Sequence, residues 1–340
     1  MKKKYLFIAI PVIILVALYF KTKKSALQGS FHRTFVTQKI PALDTIKLGA
    51  AEVSDGIYAD KNNLWINKRA YIVKYNKDGK QQIIIPAKYS VDKRPIINFY
   101  VQHDSLYYYQ ANTKTINFFN AKDSSQSSLN FSFPITYFVK LKNNSFIFLE
   151  SVLGNASMQV HYIDYDHNRD TVDRSLFSKD AGSGMKYSGL WTISQQKDSY
   201  FFVPFYDDHI LCFNSSGRIR YQFKPIDFQN QKLKIIKENN LFYLSPDANF
   251  IRPCAFSSKS RLFILSYVRS ENQSQSDFKD NSTIDVYANE DGKYIHSFYL
   301  PRFSGENASD FAIADNKTLY ACYGKNIVHY DLSKLLNNEN

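Results

Sequence analysis

The segment ILCFNSSGRIRYQF (residues 210–223) carries the strongest structural signal in the chain. An apolar run ends at Asn214, a short polar turn containing Gly217 follows, and a second run with apolar residues at every other position continues from there. Strand, glycine turn and strand in this order predict a β-hairpin. The same sequence of features returns at residues 72–85 and 284–298, so the hairpin is one copy of a repeated unit.

The repeat can be followed along most of the chain. An aliphatic or aromatic residue, two variable residues, Tyr or Phe, and usually Asn or Asp recur at 72–76, 116–120, 162–166, 210–214, 284–288 and 327–331. Each copy is preceded by a polar turn and about four apolar residues, and these preceding strands start 42, 40, 54, 62 and 57 residues apart. This spacing fits four short strands and their loops in each unit, which we name a to d in chain order.

Several units end in proline, which suits an outermost strand because an edge needs no further amide donor. These prolines are Pro86, Pro134, Pro225 and Pro301. Six four-stranded meanders arranged around an axis form an all-β, six-bladed β-propeller. A seven-bladed propeller is the alternative, because residues 237–244 (KENNLFYL) resemble another turn and strand. We interpret the surrounding segment, 228–253, as an inserted hairpin, and residues 269–282 as a long exposed loop.

The last unit lacks a fourth strand, and an unassigned strand at residues 33–40 precedes the first unit. We predict that this strand joins the last blade and closes the ring. The predicted domains are therefore a signal anchor at 1–24, a linker at 25–32 and a propeller at 33–336.

The amino terminus has the pattern of an export signal or signal anchor. Lysines flank an uninterrupted apolar run, residues 5–20, which as a helix would measure about 24 Å. Flanking lysine side chains can reach the headgroups of a membrane whose apolar core is about 30 Å thick. The first cysteine is Cys212, so a lipoprotein is excluded. We predict a retained single-span anchor with the propeller outside the cytoplasm, periplasmic or at the cell surface; a cleaved signal is the alternative.

Composition excludes some functions. Six of the twelve net positive charges lie in residues 1–24, and no basic stripe with interleaved aromatic residues indicates nucleic-acid binding. The three cysteines are too few for a disulfide-stapled domain, and we expect buried, small apolar roles for Cys212 and Cys322. No sequence motif predicts a zinc protease or covalent haem, and we expect no cofactor.

The chain resembles six-bladed propellers of the NHL-repeat and TolB-like type. The resemblance rests on residues 72–85, 210–223 and 284–298, and it covers about residues 33–335. It implies that ligands bind where the d–a and b–c loops surround a central channel. On that face we predict ligand-binding roles for Arg94, Arg252, Arg302, Lys186, Tyr206 and Asp208.

Two of these residues recur in the same local context. Arg94 and Arg252 each precede a proline and a predicted a strand, so converging guanidinium groups could hold a carboxylate, a phosphate or an acidic sugar. The alternative is a pair of exposed arginines that never converge. Candidate acids for a metal in the channel are Glu52, Asp55, Glu150 and Asp310.

The sequence favours a membrane-anchored binding or scaffold module for a peptide, glycan or protein partner. The alternative is a metal-dependent enzyme of the lactonase or hydrolase kind, with its metal in the channel. A structural role in envelope assembly is a third hypothesis, by analogy with TolB-like propellers. No residue is assigned a catalytic role.

Overall fold

The structure of the protein is a computed structural model. It describes residues 27–36, 40–48, 56–68, 71–76, 78–86, 96–102, 105–110, 113–131, 135–141, 145–151, 157–164, 169–173, 176–177, 182–196, 198–229, 233–238, 241–246, 248–315 and 317–337.

Six four-stranded antiparallel sheets form the blades of a propeller. Blade 1 comprises Ile57–Ala59, Asn63–Asn67, Tyr71–Asn76 and Gln81–Pro86, and blade 2 comprises Ile96–Gln102, Ser105–Gln110, Thr115–Asn120 and Gln126–Asn130. Blade 3 comprises Ile135–Lys140, Ser145–Ser151, Met158–Asp164 and Arg169–Asp173, and blade 4 comprises Gly189–Ile193, Ser199–Pro204, Ile210–Asn214 and Ile219–Phe223. Blade 5 comprises Cys254–Ser257, Arg261–Ser266, Asn281–Ala288 and Tyr294–Pro301. The six-bladed prediction is confirmed.

Blade 6 is built from both ends of the propeller sequence. Its a, b and c strands are Asp310–Ala314, Thr318–Tyr323 and Asn326–Asp331, and its outermost strand is Ala42–Lys47. The pairing is antiparallel, with Thr45 opposite Val328 and Ile46 opposite Ile327. The ring is therefore closed by hydrogen bonds between an early and a late segment of the chain.

The closing strand differs from the predicted one, residues 33–40. The pairing strand follows Pro41, whereas the predicted strand precedes it. The Pro41 carbonyl accepts a hydrogen bond of 3.1 Å from the Asp331 amide. Phe35 instead forms a parallel bridge with Ser297 at the outer edge of blade 5. An outermost strand buries little, and Ala42–Lys47 has only Ile46 buried, so its apolar pattern gives a poor signal.

Additional elements lie outside the six four-stranded blades. Ile235–Glu238 and Leu241–Leu244 form a two-stranded hairpin, which confirms an insertion in place of a seventh blade. Leu27–Gln28 pairs in parallel with Val268–Arg269. The described ranges contain three short helices, α1 (Ser183–Lys186), α2 (Gln275–Asp280) and α3 (Ser333–Asn337). Helix α2 lies within the predicted loop 269–282 and begins at the cap Ser274, whose Oγ accepts from the Asp277 amide.

The apolar core lies between neighbouring blades. Strand Ser199–Pro204 is buried at every position, whereas the outermost strand Arg169–Asp173 is exposed at every position. Because each blade packs against a neighbour on both faces, its inner strands have no solvent side and their sequences are continuous apolar runs. The a strands line the axis and position the loops of the d–a and b–c face around it.

The predicted anchor, residues 5–20 within 1–24, lies outside the described residues. Within the described ranges no helix has the length and apolarity needed to cross a membrane. The domain boundaries at residues 24 and 32 stay predictions.

Ring closure can be tested with two substitutions on one strand. Ile46 is 7% exposed and packs in the core shared by blades 5, 6 and 1, whereas Leu43 is 60% exposed. We expect Ile46→Ala to lower the free energy of unfolding by about 2–5 kcal/mol and Leu43→Ala to change it by less than about 0.5 kcal/mol, as measured by urea denaturation. Equal effects of the two variants would show that this strand is not docked.

Candidate functional site

A cavity of about 480 Å³ lies at the centre of the ring. The a strand of every blade contributes to its wall, and the aromatic side chains of the wall residues Tyr58, Phe99 and Trp191 are partly exposed. The volume lies within the range of about 300–1,000 Å³ that small-molecule sites occupy. The cavity is therefore large enough for a small ligand or for one side chain of a larger partner.

Aromatic side chains also surround the mouth of this cavity on the d–a and b–c face. We call Tyr137, Phe205, Tyr206, Phe250 and Tyr267 the aromatic rim. The ring centroids of Phe205 and Phe250 lie 4.7 Å apart, and Phe205 contacts Tyr137 at 6.4 Å. Tyr206 and Tyr267 extend the rim from Phe250 at 5.7 and 6.5 Å. Tyr137 and Phe205 also line the cavity, so the rim and the channel form one continuous surface.

The rim is exposed where a ligand would approach. Phe250 is 40% exposed and Tyr267 is 37% exposed, although large aromatic side chains gain free energy from burial. Contiguous exposed apolar surface on a soluble domain commonly marks a binding site. The rim thus favours recognition of an apolar or ring-bearing group at this end of the channel.

Asp310 is an acid in the wall of the cavity at the same end. It is the first residue of the blade 6 a strand, and its Oδ2 accepts a hydrogen bond of 3.1 Å from the Ile57 amide of blade 1. Oδ1 accepts from the Phe311 amide at 2.8 Å and from the Cys254 thiol of blade 5 at 2.6 Å. One carboxylate therefore links the innermost strands of three blades.

The electrostatic environment of Asp310 is unusual. Burial raises the pKa of Asp310 from 3.8 to about 6, although the three hydrogen bonds to its carboxylate oppose this shift. No cationic side chain among the described residues contributes to the shift. Burial also raises the pKa of the Cys254 thiol, and the charge of Asp310 adds to this effect. The thiol therefore stays protonated and acts as a hydrogen-bond donor.

Two further acids line the opposite end of the channel. Asp315 is about 16 Å along the strand from Asp310, at about 3.3 Å per residue. Asp60 closes a tight turn, accepting from the Asn62 amide at 2.8 Å and the Asn63 amide at 2.9 Å. The carboxylate of Asp60 is thus engaged in the a–b turn of its own blade.

Arg252, one of the predicted ligand-binding residues, is fully buried. Its Nη1 lies 2.9 Å from Asp227 Oδ1, its Nε donates to the Pro204 carbonyl at 3.2 Å, and its Nη2 donates to the Asp207 carbonyl. Arg94 lies outside the described residues, so the predicted convergence of the two arginines stays a prediction. The Arg252 guanidinium itself is engaged by protein groups.

Arg252 belongs to a larger buried network. Asp227 Oδ2 accepts from Ser266 Oγ at 2.7 Å, and Ser266 Oγ accepts from Arg33 Nη2 at 2.8 Å. Arg33 also binds Asp285 through two hydrogen bonds of 2.7 and 2.8 Å. This network attaches the segment before blade 1 and the insertion before blade 5 to the blade 5 sheet. Buried charges are stable when they are paired in this way.

The other predicted site residues are more dispersed. Arg302 is exposed, and its guanidinium donates to the Gly305 carbonyl of its own loop. Lys186 is partly buried at the end of α1. Tyr206 and Asp208 lie together in the b–c loop of blade 4, and Tyr206 is part of the aromatic rim. The structure thus places Tyr206 at the channel mouth, while Arg302 bonds within its own loop.

Asp208 belongs to the one group of candidate metal ligands among the described residues. Ligand atoms of Asp207, Asp208 and His209 lie within 4.8 Å of one another. Burial raises the pKa of Asp207; burial alone would also raise that of Asp208, but hydrogen bonding to Asp207 and attraction to His209 and Lys224 lower it. Carboxylates and imidazole are ligands that zinc accepts, so these residues could hold a cation. The triplet does not line the central cavity.

The candidate channel acids that the structure describes, Asp310 and Glu150, do not lie together. Asp310 lies in the channel wall. Glu150 lies on the b strand of blade 3, where its Oε2 is 2.7 Å from His161 Nε2 of the c strand, and Asp170 Oδ1 of the d strand is 3.1 Å from His161 Nδ1. Glu52 and Asp55 lie outside the described residues. The structure does not bring Glu150 and Asp310 together as ligands of one metal.

Comparisons with known proteins identify the architecture. A Bacteroides fragilis protein described as exported has a TM-score of 0.55 and 13% identity, with 89% of this chain and 98% of that chain covered. The Neurospora crassa Pan2 WD40 domain gives a TM-score of 0.53 at 7% identity, covering 88% of this chain and 97% of that one. A streptogramin B lyase gives 0.50 at 8% identity, covering 85% and 96%. No protein-family model and no curated protein sequence matches the chain. At these identities the likeness establishes the propeller fold alone.

Sequence reasoning missed most of the aromatic rim. Phe205, Phe250 and Tyr267 come from three separate loops, and no local spacing connects them. Two features could have drawn attention to them: Phe205 directly precedes the predicted residue Tyr206, and Phe250 lies two residues before Arg252. Both positions fall in the loops that the propeller interpretation assigns to one face.

The perturbed Asp310 predicts a pH effect on stability. Its folded-state pKa of about 6 exceeds the ordinary 3.8, so the folded state binds this proton more tightly and loses relative stability as pH rises from about 4 to 6. The loss is about 1.4 kcal/mol per unit of pKa. We expect Asp310→Asn to remove this slope when unfolding free energies are compared by urea denaturation at pH 4, 5, 6 and 7. The contributions of the other acids are the same in both proteins and cancel in the difference between their unfolding free energies. A difference that does not change with pH would contradict the raised pKa of Asp310.

Proposed function

We propose that this protein is an extracytoplasmic binding module that takes an apolar, ring-bearing part of its ligand into the central channel. The observation that carries the proposal is the continuity of the exposed aromatic rim with the 480 Å³ cavity. Aromatic walls provide large contact areas and stacking with specific geometry. The ligand is a small molecule or a peptide that carries a ring, and it enters from the d–a and b–c face.

Binding is better supported than catalysis by the groups at the channel mouth. Cys254 is kept protonated by burial and by Asp310, so it is a poor nucleophile. The metal-dependent hydrolase keeps one observation in its favour, the Asp207, Asp208 and His209 triplet. These three residues do not line the channel. Asp208 also forms an ion pair with Lys224 at 3.7 Å, so one of the two carboxylates already has a cationic partner. We therefore keep the hydrolase as the second candidate.

Export of the propeller is supported by two separate observations. The basic residues flanking the apolar segment 5–20 have the pattern of a signal anchor. One structural neighbour is a protein described as exported. We infer that residues 5–20 hold the chain in the membrane by a single span and that the loop face is presented outside the cytoplasm.

The binding proposal is tested with 2-phenylethanol, a neutral ring-bearing probe. The full-length protein is reconstituted in lipid nanodiscs, and binding is measured by saturation-transfer difference NMR after subtraction of empty nanodiscs. We expect binding to the wild-type chain, and an affinity about tenfold lower for the Phe205→Ala, Phe250→Ala double variant. Each ring contributes about 0.5–1.5 kcal/mol through aromatic contacts, and about 1.4 kcal/mol corresponds to tenfold in affinity.

The matched control removes exposed apolar side chains far from the channel. Leu43 is 60% exposed and Ile84 is 51% exposed, both on outermost strands. The Leu43→Ala, Ile84→Ala double variant should bind the probe as the wild type does. Equal losses in the two double variants, or no binding to the wild-type chain, would refute the channel as a binding site.

Anchoring is tested in intact cells of a bacterial host that expresses the full chain. We expect the protein to sediment with membranes after a carbonate wash, and external protease to digest the propeller once any outer membrane is permeabilised. Recovery in the soluble fraction, or a propeller protected until the inner membrane is broken, would contradict this part of the proposal.

A further inference from the structure

In the described part of the molecule, two buried acids and one partly buried acid lie near blades 5 and 6. Asp285 is paired with Arg33, and Asp227 is paired with Arg252; all four side chains are buried. Asp310 has no such partner among the described residues: its three hydrogen-bond donors are two backbone amides and one thiol. An ionised carboxylate in an apolar site without a cation is costly. Among the described residues, a cation is paired with Asp285 and with Asp227, and none is paired with Asp310.

The hydrogen-bond geometry leaves Asp310 able to accept more. An ionised carboxylate offers about four acceptor positions. Oδ1 accepts from Cys254 and Phe311, whereas Oδ2 accepts, within the described ranges, from the Ile57 amide alone. Asp310 is also among the residues that line the cavity, and its side chain is not sealed into the core. One acceptor position on Oδ2 therefore remains for a ligand that enters the channel.

The neighbouring aromatic rings suit a cation. Tyr58 follows Ile57 directly in the wall, and its ring lies 6.2 Å from that of Phe256. Burial raises the pKa of Tyr267 in the rim, and the charge of Asp310 adds to this shift, which places Tyr267 within electrostatic reach of Asp310. Aromatic faces attract ammonium and guanidinium groups by about 0.5–2 kcal/mol. The carboxylate and the rings are thus complementary to the same kind of group.

We propose that the ligand of the channel carries a positively charged nitrogen, an ammonium or a guanidinium, which binds Asp310 while the ring-bearing part lies against the aromatic wall. This inference rests on the proposed function and adds the charge of the ligand to it. It is opposite in sign to one hypothesis from the sequence, in which Arg94 and Arg252 converge on an anionic group. The guanidinium of Arg252 is already neutralised by Asp227, and in the described part of the chain Asp310 is the charged residue that lines the cavity near its mouth.

Three probes with the same phenyl group test the sign of the charge. Binding of 2-phenylethylamine, 2-phenylethanol and 3-phenylpropionate to the full chain in nanodiscs is measured at pH 7.5 by saturation-transfer difference titration. The amine should bind about tenfold more tightly than the alcohol, because a charge-assisted hydrogen bond contributes about 1.5–3 kcal/mol. The carboxylate should bind more weakly than the alcohol. The comparison in the wild-type protein requires no variant to fold.

The Asp310→Asn variant tests whether Asp310 causes the preference for the amine over the alcohol. Circular dichroism establishes that the variant is folded. The variant should bind the amine and the alcohol with affinities within about twofold of each other. Arg94→Met controls for the opposite charge and should keep the preference for the amine. Persistence of the preference in Asp310→Asn would overturn the assignment.

The possible failures are distinguishable. If the alcohol binds and the Phe205→Ala, Phe250→Ala variant loses it, but the amine has no advantage, the channel remains a binding site and only the cationic ligand is refuted. Tighter binding of the carboxylate that is weakened by Arg94→Met would instead support an anionic ligand, which the sequence raised as a possibility for Arg94 and Arg252. If none of the three probes binds, the proposed function fails together with this inference.

Discussion

The hydrogen-bonded pairing of Ala42–Lys47 with Asn326–Asp331 is the interaction on which the rest of the structure depends. A propeller blade buries its two faces against neighbours, so an open ring would leave two blades half uncovered. Closure places the first blade beside the last one, and this contact brings the Ile57 amide within 3.1 Å of Asp310. The central cavity and its acid are therefore consequences of an association between segments almost 300 residues apart.

Buried charges divide into two functional kinds. The Arg33–Asp285 and Arg252–Asp227 pairs connect peripheral segments to blade 5, and the serine Ser266 joins the two pairs through hydrogen bonds. Burial alone would lower the pKa of Arg33, but attraction to Asp285 outweighs this effect and raises it, as expected for a stable ion pair. Asp310 has hydrogen bonds but no countercharge among the residues that the structure describes. A carboxylate left in this condition stores unfavourable free energy that a cationic ligand would relieve.

The repeated hairpins were predictable because their signals are local. Glycine turns such as Gly217, with φ of +77°, require a left-handed backbone, and the inner strands are long apolar runs since both faces of a blade are covered. The inserted hairpin could be separated from a blade because no matching c strand followed it. The closing strand was predicted at residues 33–40, several residues before its position in the structure. An outermost strand needs few apolar positions, and in Ala42–Lys47 only Ile46 is buried.

The site was less predictable because its parts meet only in three dimensions. Arg252 has the sequence context of an exposed loop arginine, and its partner Asp227 lies 25 residues away in a segment without a repeat pattern. Asp310 could be named as a channel acid, but its contacts with Ile57 and Cys254 cross two blade interfaces. The aromatic rim is assembled from loops of blades 4 and 5 together with Tyr137 of blade 3, so no single stretch of sequence reveals it.

Hydrogen exchange of the full chain, followed by mass spectrometry, tests ring closure most directly. Strand Asn326–Asp331 is an interior strand only if Ala42–Lys47 pairs with it. Its amides should then exchange as slowly as those of Ile210–Asn214, the corresponding strand of blade 4, because both open only when the propeller unfolds. Rapid exchange of residues 326–331 and 42–47, while residues 210–214 remain protected, would contradict a closed ring and the channel built on it.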